Sequence, residues 1–160
     1  MPRKRSSTRS TAPATRSDWL AAAVPHLSAR VFEPAGFVLP RIRVTCDLPI
    51  RGARYALRIG ECWPRWQSED ETNLIYISPR ICMPEVALDI FVHELVHAID
   101  DCANGHRGRF RTIATRVGLT GKMTATRAGP GLAATLVDIA TSLGSYPDAT
   151  APLSPAAPPA

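Results

Sequence analysis

His93, Glu94 and His97 form an HExxH run inside an apolar stretch of helical periodicity, Val86 to Ile99. In a helix, residues i and i+4 stand one turn apart on one face, so both imidazoles can reach a single ion. Counting about 100° per residue from His93, His97 falls at about 40° and Glu94 at about 100°. Leu88, Phe91, Val92, Leu95, Val96 and Ile99 fall on the opposite side, between about 160° and 300°. The helix therefore has a core face and, across from it, two metal-ligand side chains beside a carboxylate. Metal-assisted hydrolysis needs that arrangement. Two His and a third ligand hold Zn²⁺, water takes the fourth position, and Glu94 removes its proton as general base.

The third ligand is found by elimination. After His97 the only histidine is His106, and no Glu follows Glu94. The longer HExxHxxGxxH spacing fails, because its Gly position is Asp100 and its last His position is Ala103. On the helical wheel Cys102 falls among the apolar residues and is expected to point away from the metal. Asp89 and Asp100 fall on the histidine side, suited to a hydrogen bond to a ligand imidazole or to a solvated face. Asn104-Gly105 reads as a helix stop, after which a new helix is expected to start at His106, aimed back at the site. His106 is the preferred third ligand, with Asp138 or a carboxylate of the first helix as alternatives. His26 stands alone, far from the motif, and reads as structural or exposed.

The segment HELVHAIDDCANGHRGRF resembles the SprT-like zinc metallopeptidases, whose HExxH is followed by a Gly-His-Gly-like turn and then an aromatic residue. Those positions here are Gly105, His106, Gly108 and Phe110, with Arg107 inserted after the histidine. IGECW (Ile59–Trp63), IYISP (Ile75–Pro79) and GLTGKMTAT (Gly118–Thr126) are similar to stretches of the small SprT-like proteins encoded by phages and prophages. The similarity covers roughly Asp18 to Tyr146. It implies a minimal zincin-like fold, Zn²⁺ on His93, His97 and His106, and Glu94 as general base. Better-known members of that family cleave proteins crosslinked to DNA, and many carry a C-terminal zinc ribbon of paired cysteines. This chain has no Cys after Cys102 and departs from them there.

The elements that must hold these residues follow from pattern. Ser17 is the expected cap of a helix to about Phe32, striped by Trp19, Leu20, Ala23, Val24, Leu27 and Val31 and kinked or restricted by Pro25. Arg41–Thr45, Tyr55–Trp63 (with a possible bulge at Gly60) and Leu74–Ser78 read as strands. Pro84-Glu85 opens the HExxH helix. Phe110, Ile113, Ala114 and Val117 stripe the next helix, and Leu132 to Leu143 the last. Helix, short strands and three helices make an α+β domain, with a small sheet packed on one side of the HExxH helix. Such a small sheet leaves an edge beside the metal where an extended peptide could add as a strand; resemblance to zincins, more than pattern, implies that the IYISP strand is that edge, and Tyr76 reads as a packing residue. Arg107, Arg109, Tyr55 and Lys122 are candidates to stabilise the developing oxyanion. Met123 reads as core packing.

The 160 residues have room for one domain with a sizeable core. The net charge of +5 traces to Arg3, Lys4, Arg5, Arg9 and Arg16, and the remainder is balanced. Three segments follow: a disordered basic arm over 1–16, the metallopeptidase domain over 17–146, and an Ala/Pro-rich disordered tail over 147–160. The arm offers a weak nucleic-acid contact through phosphates, though solubility explains it as well. No secretory signal or transmembrane run is visible, and the four dispersed Cys form no CxxC pair. These features point to the cytoplasm, that of the host if the chain is phage-encoded, with free thiols and no membrane partner. The leading expectation is a zinc-dependent endopeptidase acting on a protein or peptide substrate, DNA-associated proteins among the candidates. Its rival is a non-catalytic metal-bearing module recruited to nucleic acid by the arm. An intact Glu94 favours the enzyme, since a purely structural site needs no base. Oligomeric state is not encoded in any of these patterns.

Overall fold

The computed structural model describes residues 12–47 and 58–149. Four α-helices, α1 (Arg16–Leu27), α2 (Pro84–Ile99), α3 (Arg109–Val117) and α4 (Pro130–Leu143), accompany a small sheet of β1 (Ile42–Thr45), β2 (Gly60–Trp63) and β3 (Asn73–Ile77). A two-stranded hairpin of β4 (Leu119–Thr120) and β5 (Arg127–Ala128) lies between α3 and α4. The class is α+β, as the order of patterns implies. Among the described residues no helix is long and apolar enough to cross a membrane.

The cap of α1 is Thr15, not Ser17. Thr15 has extended backbone, and its hydroxyl accepts from the Asp18 N–H at 3.0 Å. Ser17 Oγ instead accepts from the Cys46 N–H at 3.0 Å, tying α1 to the end of β1. Arg16, assigned above to the solvated arm, is 6 % exposed. Its guanidinium donates to the carbonyls of Pro79, Ile81 and Pro147 and lies 4.7 Å from the centre of the Tyr146 ring. One of the five arm charges therefore belongs to the fold, and Pro147 is tied down with it; residues 1–11 and 150–160 lie outside the described residues. Pro25 contributes no N–H to the helical ladder, and after Leu27 the chain passes into a π-type turn (Ser28–Phe32) and a 3₁₀ turn ended by Gly36.

Trp19, Leu20, Ala23 and Leu27 of α1 are fully buried, as are Leu88, Phe91, Val92, Leu95 and Val96 of α2. Each large side chain so buried contributes roughly 1.5–3 kcal/mol. α2 sits at the centre, packed against β2, β3, α3 and α4. The sheet order is β1-β3-β2, with β1 parallel and β2 antiparallel to β3. This corrects the edge assignment: the IYISP strand is the middle strand. Ile75, Tyr76 and Ile77 are buried without alternation, as a strand covered on both faces must be. β2 covers only Gly60–Trp63 of the expected Tyr55–Trp63 strand: Arg58 and Ile59 precede it outside the strand, and Tyr55 to Leu57 lie outside the described residues. No bulge appears at Gly60, which pairs in register with Ile77.

Candidate metal centre

α2 delivers His93 and His97 one turn apart, both half-buried, and the chain must return to supply a third ligand. It does so through a turn built by two aspartates. The helix ends at Ile99, short of the expected stop at Asn104-Gly105, because Asp101 (φ 48) and Cys102 (φ 58) take left-handed conformations. Asp100 stabilises this turn: its carboxylate accepts from the Asn104 N–H at 2.9 Å and the Asn104 side-chain amide at 2.8 Å. Asp101 Oδ1 accepts from the Arg65 N–H at 2.9 Å and from Asn73 Nδ2 at 3.0 Å, anchoring the turn to the sheet. Asp100 thus holds the turn rather than a ligand imidazole. His106 sits in that turn, ahead of α3, which starts only at Arg109 after Gly108 (φ 53, ψ −120). The expected helix start at His106 is therefore displaced by three residues.

The turn brings His106 Nε2 to 3.2 Å from His93 Nε2 and 3.2 Å from His97 Nε2. Two imidazole nitrogens bound to one tetrahedral zinc at about 2.0–2.1 Å lie roughly 3.3 Å apart. The spacing suits a single ion, and the three ligand atoms all fall within 4.8 Å of one another. Among the described residues His93, His97 and His106 form the one group of this kind. Asp138 is exposed and paired with Arg30 at 3.3 Å, outside the cluster. His26 on α1 is likewise not part of it.

The ring of Phe110, fully buried at the start of α3, packs against all three imidazoles, with centroids 5.1, 4.3 and 5.0 Å from His93, His97 and His106. This apolar support desolvates the imidazoles. Burial, with the neighbouring histidines, pushes His93 down to about 4 and His97 down to about 3, and burial lowers His106 as well. All three rings are therefore neutral at pH 7, the form that binds a metal.

His93 Nδ1 lies 2.7 Å from Thr126 Oγ1. With Nδ1–H donating to that hydroxyl, the Nε2 lone pair is left facing the cluster. The β4–β5 hairpin places Thr126 there, and Asp89 secures the hairpin by accepting from the Ala128 N–H at 3.1 Å. Asp89 thus reaches the site through Thr126 rather than through an imidazole. Thr126→Val is expected to keep the fold and weaken metal affinity by about 10–100-fold, read by competition with a chromophoric chelator. Unchanged affinity would leave the 2.7 Å contact without a role.

Glu94 is 7 % exposed, beside the His pair. Burial is the main cause that pushes its carboxyl up to about 8, with Cys102 and Glu61 adding to it and Arg58 opposing. Gly60 explains how β2 comes so near. A Cβ there would stand 2.7 Å from Ile90 Cγ2 and 2.8 Å from Glu94 Oε1, so any side chain would displace the carboxylate. The pocket over the three histidines measures about 390 Å³ and is lined by Gly60, Glu61 and Cys62 of β2 and by Thr124, Ala125 and Thr126 ahead of β5.

Cys102 also lines this pocket, and its thiol donates to the Cys62 carbonyl at 3.5 Å. Its expected position facing away from the site came from extending the helical wheel past the helix end. Arg107, Arg109 and Lys122 do not line the pocket, and Tyr55 lies outside the described residues. The cation that does line it is Arg58, 3.2 Å from Glu61 Oε1, which pattern alone did not single out. Met123 is half-buried against the core, in its expected packing role. Compared with known proteins, the chain matches no family model, no curated protein and no solved structure.

Proposed function

We propose that this chain is a zinc-dependent endopeptidase with a minimal, zincin-like domain of the SprT-like type, acting on protein or peptide substrates. The observation that carries the reading is the convergence of three neutral imidazole nitrogens, two of the contacts at 3.2 Å, beside the buried carboxylate of Glu94. His93, His97 and His106 would hold the ion, and no Cys, Asp or Glu joins them within ligand reach among the described residues. Zinc bound there supplies a Lewis acid and a water whose pKa falls toward about 7. The charge of a zinc ion bound there would draw the Glu94 carboxyl back down from about 8 into its ionised form, so that Glu94, on the same helix face, could take the proton from that water and return it to the leaving amine. Thr126 orients His93, and Phe110 excludes water from beneath the ligands. The second edge of β2, opposite β3, borders the pocket and is the place where an extended peptide adds by backbone hydrogen bonds.

X-ray absorption at the zinc edge of the loaded protein tests the ligand set. Three nitrogens and one oxygen at about 2.0–2.1 Å are expected. Sulfur at about 2.3 Å, from Cys62 or Cys102, would indicate a closed structural site and the non-catalytic binding module instead.

A further inference from the structure

Between Asp101 and Asp138 the chain carries Arg107, Arg109, Arg111, Arg116, Lys122 and Arg127 and no acidic residue. This run is hidden in the whole-chain balance of charge, and it surrounds the third-ligand turn. Arg107, Arg111 and Lys122 line a cleft of about 420 Å³ with Met123. Their side chains are exposed, and among the described residues none of the three makes an ion pair. Arg109 and Arg111, in the first turns of α3, work against the helix dipole, so stabilising the helix is not what they do. His106 and Thr124 line both this cleft and the metal pocket, so the two are continuous. The β2 part of the pocket carries no such free charge: Glu61 and Arg58, which both line it, are paired at 3.2 Å.

We propose that the cleft of Arg107, Arg111 and Lys122 seats acidic side chains of the substrate, on one side of the scissile bond only. The proposal rests on the peptidase reading. A peptide crossing the three histidines runs from the Glu61 wall into the cationic cleft. Carboxylates are drawn to the guanidinium and ammonium groups of the cleft, whereas at the other end Glu61 and Arg58 neutralise each other and offer no such attraction. The cleft has room for one or two side chains beside a peptide that is already held at the metal, which favours an acidic peptide over a nucleic-acid backbone as its occupant.

The test uses the zinc-loaded full chain and short peptides of neutral sequence in which Glu, Gln or Lys is placed at successive positions around the cleaved bond. Glu is expected to raise kcat/KM over Gln by about tenfold on one side alone, with the gain shrinking as salt is added. Arg111→Glu/Lys122→Glu should invert the preference toward Lys at the same positions, and Arg111→Gln/Lys122→Gln should abolish it, both with wild-type zinc content. Equal rates for Glu and Gln, or a Glu preference that survives charge reversal, would overturn the proposal. Binding is read separately on Glu94→Gln with a fluorescent Glu-rich peptide, competed by a single-stranded oligonucleotide and by a DNA duplex. Displacement by either nucleic acid at far lower concentration than by unlabelled peptide would assign the cleft to nucleic acid and overturn the proposal. If the Glu-rich peptide binds and charge reversal abolishes binding while no peptide is ever cut, the cleft's ligand chemistry stands and the peptidase reading fails.

Discussion

Glu94→Gln is expected to lower peptide cleavage by about 10² or more while zinc stays bound. Gln has the size of Glu and fits the same space against Gly60, where Glu94 Oε1 lies 2.8 Å from an added Cβ. It cannot accept the proton of the nucleophilic water. The carboxylate lies next to the His pair yet outside the three-nitrogen group, so chemistry and metal retention should separate. The comparison has to be made on a substrate that the wild type demonstrably cuts. Loss of zinc along with activity would mean that Glu94 holds the site together. Cleavage at the wild-type rate would remove Glu94 from the mechanism.

His106→Ala is expected to release the metal, weakening zinc binding by more than about 100-fold, since loss of a ligand exceeds loss of its supporting hydrogen bond. His93 and His97 would remain on α2, but two imidazoles on one helix leave half the tetrahedron without protein donors. The other carboxylates considered as the third ligand are committed elsewhere. Asp138 is on the surface with Arg30, and both Asp100 oxygens accept hydrogen bonds from Asn104. Elemental analysis of the purified variant checks the point. Undiminished zinc would show that the third donor is not His106.

Much of this site could be read from spacing, because its first two ligands and its base share one long amphipathic helix. The 3.6-residue period alone separates Leu88, Phe91 and Leu95 from His93 and His97, whatever the helix packs against. His106 was reached by elimination, and Phe110 as part of a buried stripe. What failed was information that period cannot carry. Continuing the wheel of α2 points Cys102 away from the metal, yet two left-handed residues end the helix and bring Cys102 into the lining of the pocket. Strand order is set by long-range pairing, so no single strand's pattern tells edge from centre by period alone. The unbroken burial of Ile75, Tyr76 and Ile77 was the available sign that β3 is central. Thr126 went unassigned because a hairpin of two-residue strands leaves almost no alternation to detect. Gly60 read as a possible bulge, whereas its role is to let β2 approach Glu94. The net charge of +5 equals that of the N-terminal arm alone, and the balance of the remainder conceals the acid-free run after Asp101.

Metal-dependent cutting of peptide bonds by the three-histidine centre is tested most directly by incubating the purified, zinc-loaded chain with an unfolded protein mixture and counting new peptide termini by mass spectrometry. The same protein is run after chelation and again after zinc is restored. New internal termini that vanish with chelator, return with zinc and are absent for Glu94→Gln are the expected result. Termini that persist without metal, or that form equally with Glu94→Gln, would contradict it.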